Sequence, residues 1–469
     1  MARTTKQTAL FAQGVASQSN FDQLCTPAAT EKPLGPPANV VTVPGPVIYE
    51  ARKHAAVRTG EYLYNQLIPY IGNKRKLLWL IASAIEQTGI RSGTFADFFA
   101  GSSVVARLAK TLGFRVLAND WEPYAKVISH CYIECNAVPE FARLGGPERT
   151  FTLLNSVAPS EGYIATHLCP QDDDHPDHTT ERMFFTHANG SKIDAMREQI
   201  QAWEQAGLLT AADQAVLLAA MMYAVSYVSN TSGVFKGFHR GWGGNTQTAL
   251  YRILSNIELR LPVFCDNGQD NRSYRMDAQL LAAELRKTGS PLDIAYLDPP
   301  YNQHPYGSNY HVLNTVALWD KPELSPSISG RDKAAIRLDW RTERRSAYNH
   351  QGAALQAYDS LLRTIQARYI LTSYSTDGNI PLQEMLRCAA QRGAISCVKN
   401  AYKRYRVSSQ RMSLKPMNVE FVLIIDSAGR STARDADRLY HDIMQMEEAA
   451  LAAHRENQTD SSDMLFEDV

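Results

Sequence analysis

Residues 94–120, TFADFFAGSSVVARLAKTLGFRVLAND, restrict the fold more than any other stretch. A short apolar run ends in small residues, a helical segment closes at Gly113, and a second apolar run follows. Two buried strands joined by a helix form a βαβ unit, which requires a parallel sheet and a right-handed crossover. Three later apolar runs, LDIAYLD (292–298), ARYILTSY (367–374) and EFVLIID (420–426), read as further buried strands. Strands separated by helical segments predict an α/β fold, a Rossmann-like doubly wound sheet.

The rhythm breaks between about 140 and 270. Two helical segments, SKIDAMREQIQAWEQAG and TAADQAVLLAAMMYAVSYVS, are followed by a Gly- and aromatic-rich stretch, NTSGVFKGFHRGWGGN. A mostly helical insert in the α/β domain is the expectation. Residues 1–58, rich in Ala, Thr, Gln and Pro, read as a flexible extension. The expected organisation is a catalytic domain in two pieces, 59–139 and 271–428, an insert at 140–270, and an acidic C-terminal helix and tail at 429–469.

The chain has 469 residues, is 44% hydrophobic and has zero formal net charge. The charge is unevenly spread. Lys399 to Lys415 holds six basic residues and no acid, whereas Arg434 to the end holds ten acids and three arginines. A neutral sum is therefore compatible with a basic, DNA-facing surface, which is the expectation. The N-terminal MARTTKQTALFAQ lacks the apolar core of a signal peptide, and no run of ~18 uninterrupted apolar residues predicts a membrane span. Seven scattered cysteines suit reduced thiols, so a cytoplasmic protein is expected, associated with the nucleoid through DNA. His167, Cys169, His175 and His178 match no common zinc spacing, and no metal is expected.

Two motifs carry chemistry. In FADFFAGSSVV the small-residue turn lets a ligand approach the backbone, and Asp120, ending the next strand, can bind ribose hydroxyls. The bland alternative is a turn without a ligand. The second motif, DPPY (298–301), follows a buried strand. Proline fixes φ and has no N–H, so the pair makes a stiff loop with free carbonyls. Asp298 and the Pro299 carbonyl can accept both hydrogens of one amino group. An amine conjugated to a purine is a poor nucleophile, and two acceptors pull its nitrogen toward a tetrahedral shape and aim its lone pair. Tyr301 can stack on the base. The loop's work is to hold an exocyclic amine in attack geometry.

The ordered motifs PYIGNKRKLL, DFFAGSSVV, VLANDWEPYA, RMDAQLL, DPPY and ILTSYSTDGNIP, with YKRYR and KPMNVEFVLII after them, resemble the D12 class of DNA adenine N6-methyltransferases over roughly residues 62–425. ERMFFTHANGSKIDAMR and VSNTSGVFKGFHRGWGG resemble its recognition segment, which precedes DPPY. The resemblance implies S-adenosylmethionine as methyl donor, double-stranded DNA as partner and a target adenine flipped from the duplex. By matched position, Tyr70 and Lys74 lie at the methionine end of the cofactor, and Asp97, Phe99 and Gly101 line its turn. Asp120 takes the ribose and Asp277 the cofactor's adenine amine. Asp298 stands between cofactor and target. Ser103 departs from the pattern, standing where the family carries Gly.

Lys236, His239 and Arg240, with Phe235, Phe238 and Trp242 on the Gly-rich loop, are candidate DNA contacts, some reading base edges. Lys403, Arg404 and Arg406 offer cations for phosphates. A cognate restriction endonuclease is a partner the resemblance admits, with the chain a monomer or weak dimer. Methylation of another exocyclic amine, cytosine N4 or a base in RNA, is the competing activity. A catalytically silent DNA-binding module is the competing class.

Overall fold

The structure, a computed structural model, describes residues 60–177, 179–403 and 416–463. The expected extension, His178, Arg404 and Arg406 lie outside them. The strands are β1 (Thr94–Asp97), β2 (Arg115–Asp120), β3 (Arg272–Arg275), β4 (Leu292–Leu297), β5 (Ala367–Ser375), β6 (Ala394–Lys403) and β7 (Met417–Asp426). The helices that position the site are α1 (Leu78–Gln87), α2 (Val104–Thr111), α3 (Pro123–Ser129), α4 (His187–Gln205), α5 (Ala211–Val228), α6 (Ala278–Lys287), α7 (His311–Leu318), α8 (Gln351–Thr364), α9 (Leu382–Arg392) and α10 (Ala433–Asp463).

The strands form one sheet in the order β3-β2-β1-β4-β5-β7-β6. Alternate residues of the central strands face opposite layers, and both layers are apolar. Phe95, Val116, Ile294 and Tyr296 pack under α1 and α2. Ala96, Leu117, Ala295 and Leu297 pack under α6, α8, α9 and α10. Burial on both faces explains why these strands read as continuous apolar runs. β1 pairs in parallel with β2 on one side and β4 on the other, so the strand order reverses at β1–β4. Open α/β sheets bind ligands at the carboxyl edge of such a switch point.

The sheet is not wholly parallel, because β7 runs antiparallel between β5 and β6. β3 and β6 escape sequence reading for one reason: both are edge strands. RSYR and AISCVKNAYK lack the unbroken apolar run of a central strand.

Segment 140–270 builds its core from α4 and α5. Thr210 and Asp213 start α5 with a reciprocal capping box. By length and composition α5 could cross a membrane, but 72% of it is buried inside the protein, which accounts for its apolarity. Its cluster also contains Tyr124 and Ile128 of α3 and Val312, Leu313 and Val316 of α7. The insert and the chain beyond DPPY therefore share one core.

Lys110 secures the junction below this cluster. After α3 the chain makes one π turn, His130–Glu134. The fully buried Lys110 Nζ donates to the carbonyls of Tyr132 at 3.3 Å, Ile133 at 2.8 Å and Cys135 at 2.9 Å. Burial lowers its pKa to about 8. Lys110→Ala should cost about 3 kcal/mol in urea denaturation, because it leaves buried carbonyls unpaired. A loss below about 0.5 kcal/mol, the ordinary surface range, would show that these bonds are not needed.

Candidate active site

Three acids meet at the carboxyl edge of the sheet because three neighbouring parallel strands end there. Asp97 closes β1, Asp120 closes β2, and Asp298 follows β4. Asp97 is 1% exposed and accepts from Phe99 N at 3.2 Å. Asp120 accepts from Gly101 N at 2.8 Å and Glu122 N at 2.9 Å, tying the turn after β1 to the end of β2. Burial raises the pKa of Asp97, with Asp298 and Asp120 adding to the rise. Burial also raises that of Asp120, opposed by its backbone N–H bonds. Gly101 has φ +51, and a Cβ there would lie 2.8 Å from the Tyr70 ring, so only glycine fits.

A cavity of about 260 Å³ opens beside these acids, just below the usual lower bound of small-molecule sites. Its lining includes Tyr70, Phe99, Asp120, Asp277 and Asp298. An adjoining cavity of about 20 Å³ is lined by Tyr70, Lys74, Asp97, Phe99, Gly101 and Asp298, among others. All eight expected cofactor residues therefore border one or both spaces. Asp277 also caps α6, accepting from Gln279 N at 2.8 Å. Ser103 takes the left-handed conformation, φ 62, that favours Gly. Its side chain borders neither cavity and bonds Ser129 Oγ at 2.8 Å, so it points away from the ligand space.

The DPPY loop is held from several sides. Lys74 Nζ lies 2.8 Å from Asp298 Oδ1 and 4.5 Å from the centre of the Tyr301 ring. Burial raises the Asp298 pKa and Lys74 opposes the rise. Tyr301 packs against Tyr374 with ring centres 4.6 Å apart, and its carbonyl accepts from Asn379 N at 2.8 Å. Pro299 is buried, and neither it nor Tyr301 borders either cavity.

Several contributors are absent from the sequence reading. Asn119 bridges the turn after β1 to the end of β3: its Nδ2 donates to Phe98 O and Met276 O, both at 3.1 Å. Tyr310 and Tyr306 stack on the expected Tyr70 at 4.8 Å and 5.2 Å, forming a wall from residues far apart in the chain. Glu122 on the cavity wall accepts from Asn314 Nδ2 at 2.7 Å and the buried Arg344 Nε at 3.2 Å. Arg344 continues to Asp339 at 2.7 Å, and Asp339 to Arg337 at 2.9 Å. By sequence RDKAAIRLDWRTERR offers cations for phosphates, but Arg337 and Arg344 are buried and paired with Asp339 of the same segment.

The DNA candidates divide. Lys236 and Arg240 are exposed, and Lys236 Nζ lies 3.2 Å from His304 Nδ1, next to the DPPY loop. His239 is half-buried, and its N–H donates to Asn230 O at 3.0 Å. The aromatic residues of this loop are anchors and not groove-inserting groups. Phe235 is 2% exposed, Phe238 packs edge-on to Phe184, and Trp242 Nε1 donates to Asp173 O at 2.9 Å. Asn230, wholly buried, donates to Met183, His239 and Gly241 carbonyls and accepts from Gly243 N. Lys403 ends β6 at the same edge of the sheet as Asp298.

A Rossmann-like sheet with an acid at the switch point and a DPPY loop beside a ligand cavity is the architecture of an amino-methyltransferase. The chain belongs to the D12 class N6 adenine-specific DNA methyltransferase family, whose model matches residues 70–333. It is 31% identical to the modification methylase LlaI of Lactococcus lactis subsp. lactis over 76% of this chain and 54% of that protein. It is 30% identical to the type II methyltransferase M.NlaIII of Neisseria lactamica over 72% of this chain and 92% of that protein. A third relative, the type II methyltransferase M.FokI of Planomicrobium okeanokoites, is 30% identical over 72% of this chain. The match spans about half the length of the LlaI and FokI enzymes and nearly all of M.NlaIII.

Burial pushes the Glu122 pKa up to about 7, outweighing Arg344. A carboxyl whose folded pKa is raised adds stability below its unfolded value and loses it as pH rises through the folded one. Wild-type stability should therefore fall between about pH 4.5 and 7, by on the order of 3 kcal/mol, relative to Glu122→Gln. Melting temperatures measured across this range check it. Parallel curves for the two proteins would show that Glu122 is ionised throughout.

Proposed function

We propose that the chain methylates N6 of a flipped adenine at a specific site in double-stranded DNA, with S-adenosylmethionine as donor. The observation that carries this reading is Asp298: it stands at the switch point, borders the larger cavity and opens the DPPY loop. The donor set suits the cofactor. Acids at 120, 277 and 298 attract a cation, while Phe98, Phe99, Trp121 and Tyr348 offer apolar and aromatic surface to an adenosine. In this reading Tyr70, Lys74, Asp97, Phe99, Gly101, Asp120 and Asp277 hold or frame the cofactor, which supplies an already activated methyl group.

The protein's own contribution is positioning. A base leaves the duplex because its paired amine cannot reach a buried site. Tyr301 offers a ring face for stacking. Asp298 and the Pro299 carbonyl accept the two amine hydrogens and hold the nitrogen's lone pair away from the ring system. Asp298, its pKa already raised by burial, is the nearest acceptor for the surplus proton. Segment 140–270 carries recognition: Arg240 reads bases from the loop that Asn230 braces, and Lys236 and His239 support the contact. Lys403, Arg404 and Arg406 bind phosphates. The relatives' names support a role as the modification half of a restriction–modification pair, acting wherever the DNA is held.

Asp298→Ala should abolish methyl transfer at saturating donor while duplex binding, carried mostly by phosphate contacts, survives. Asp120→Ala should weaken donor binding by about 1–3 kcal/mol in calorimetry. Mass analysis of the methylated nucleosides identifies the product. Methylcytosine, or methyladenine formed near the wild-type rate by Asp298→Ala, would sink the reading.

Arg240→Ala should relax site preference with little change in binding to random duplex. Asn230→Ala should do the same without touching DNA, since it frees the loop's backbone. Equal losses on cognate and random duplexes would make Arg240 a phosphate contact.

A further inference from the structure

Two charged groups near Asp298, Lys74 and the half-buried Glu420, take no part in the methyl transfer itself. Lys74 comes from the turn after Tyr70, and Glu420 from β7. Lys74 is 3% exposed. Its Nζ donates to Asp298 Oδ1 at 2.8 Å and Gly72 O at 3.1 Å, over the face of Tyr301. A carboxylate acceptor and an aromatic face are what a target amine needs here. The lysine and the base therefore compete for one seat.

The displaced ammonium needs a counter-charge. Glu420 pairs in register with Ser375 at the end of β5, one strand from the DPPY loop. Its Oε2 is buried with no hydrogen-bond partner among the described residues, while Ser375 supports the carboxyl and burial pushes its pKa up to about 7, so a nearby ammonium would favour its charged form. Lys74 is already within its electrostatic reach, as are Asp298 and Asp377.

Resting on the methyltransferase reading, we propose that Lys74 is a placeholder for the target amine. It neutralises Asp298 in the free protein and passes its ammonium to Glu420 when the base enters. The exchange removes a penalty at each stage. An unpaired carboxylate at Asp298 would be expensive before the base arrives, and an unpaired ammonium expensive afterwards.

The test is stopped-flow fluorescence of full-length protein with S-adenosylhomocysteine and a duplex carrying 2-aminopurine at the mapped target. Glu420→Gln should slow base entry about tenfold when Lys74 is present, and less than about twofold in a Lys74→Met background. Equal slowing in both backgrounds, or none in either, overturns the proposal. Should Lys74→Met fail to fold, a structure of the wild-type complex with the base flipped decides. Nζ should lie beyond about 4 Å from Asp298 and within about 3.2 Å of Glu420. Retention of the Asp298 contact overturns the proposal. If wild-type protein makes no methyladenine, the functional reading itself fails. If it does, and base entry ignores Glu420, only the placeholder fails.

Discussion

Parallel pairing of β1 with β4 is the contact from which the site follows. Its register sets Asp97 opposite Tyr296, so the carboxyl ends of both strands reach one edge and Asp298 emerges two residues beyond. β2, parallel on the other side, brings Asp120 to the same edge. Three acids so close in a poorly hydrated place repel one another, and burial disfavours the charge of each. The fold offsets this differently for each. Asp97 and Asp120 receive backbone N–H groups, which are fixed. Asp298 receives the ammonium of the Lys74 side chain. In the proposed mechanism, the acid that faces substrate is the one whose partner is a side chain and not fixed backbone.

What the sequence discloses tracks where each element lies. Strands β1, β2, β4, β5 and β7 are buried on both faces and announce themselves as apolar runs. β3 and β6 lie at edges and carry mixed residues. The eight cofactor candidates sit in short motifs whose spacing is local, and they converge on two adjoining cavities. The rest of the wall is assembled from distant positions. Glu122 meets Arg344 and Asn314 across about two hundred residues, and Tyr70 meets Tyr306 and Tyr310 across a similar gap. No local pattern encodes such pairs. The Gly-rich loop misleads for a related reason. Composition shows aromatic and basic residues together, but cannot say that the aromatics point inward and the cations outward.

That division also joins reading to chemistry. Phe235 N donates to Asn309 O at 2.7 Å, and the buried His311 ring bonds Phe235 O at 2.8 Å through Nε2. Burial lowers the His311 pKa to about 4, so the ring stays neutral at ordinary pH and its Nε2–H donates. Asn309 and His311 flank the start of α7, a few residues beyond DPPY. The proposed reading loop is thus bonded directly to the chain that leaves the proposed catalytic loop, and Lys236 adds a contact to His304. A displacement of the loop by correct base contacts would be felt at His304 and Asn309 before it could be absorbed elsewhere, because α5, α7 and Phe235 share one packed core. In such an arrangement specificity need not come only from affinity. A wrong sequence that binds through phosphates alone leaves the loop, and with it the DPPY approach, undisturbed.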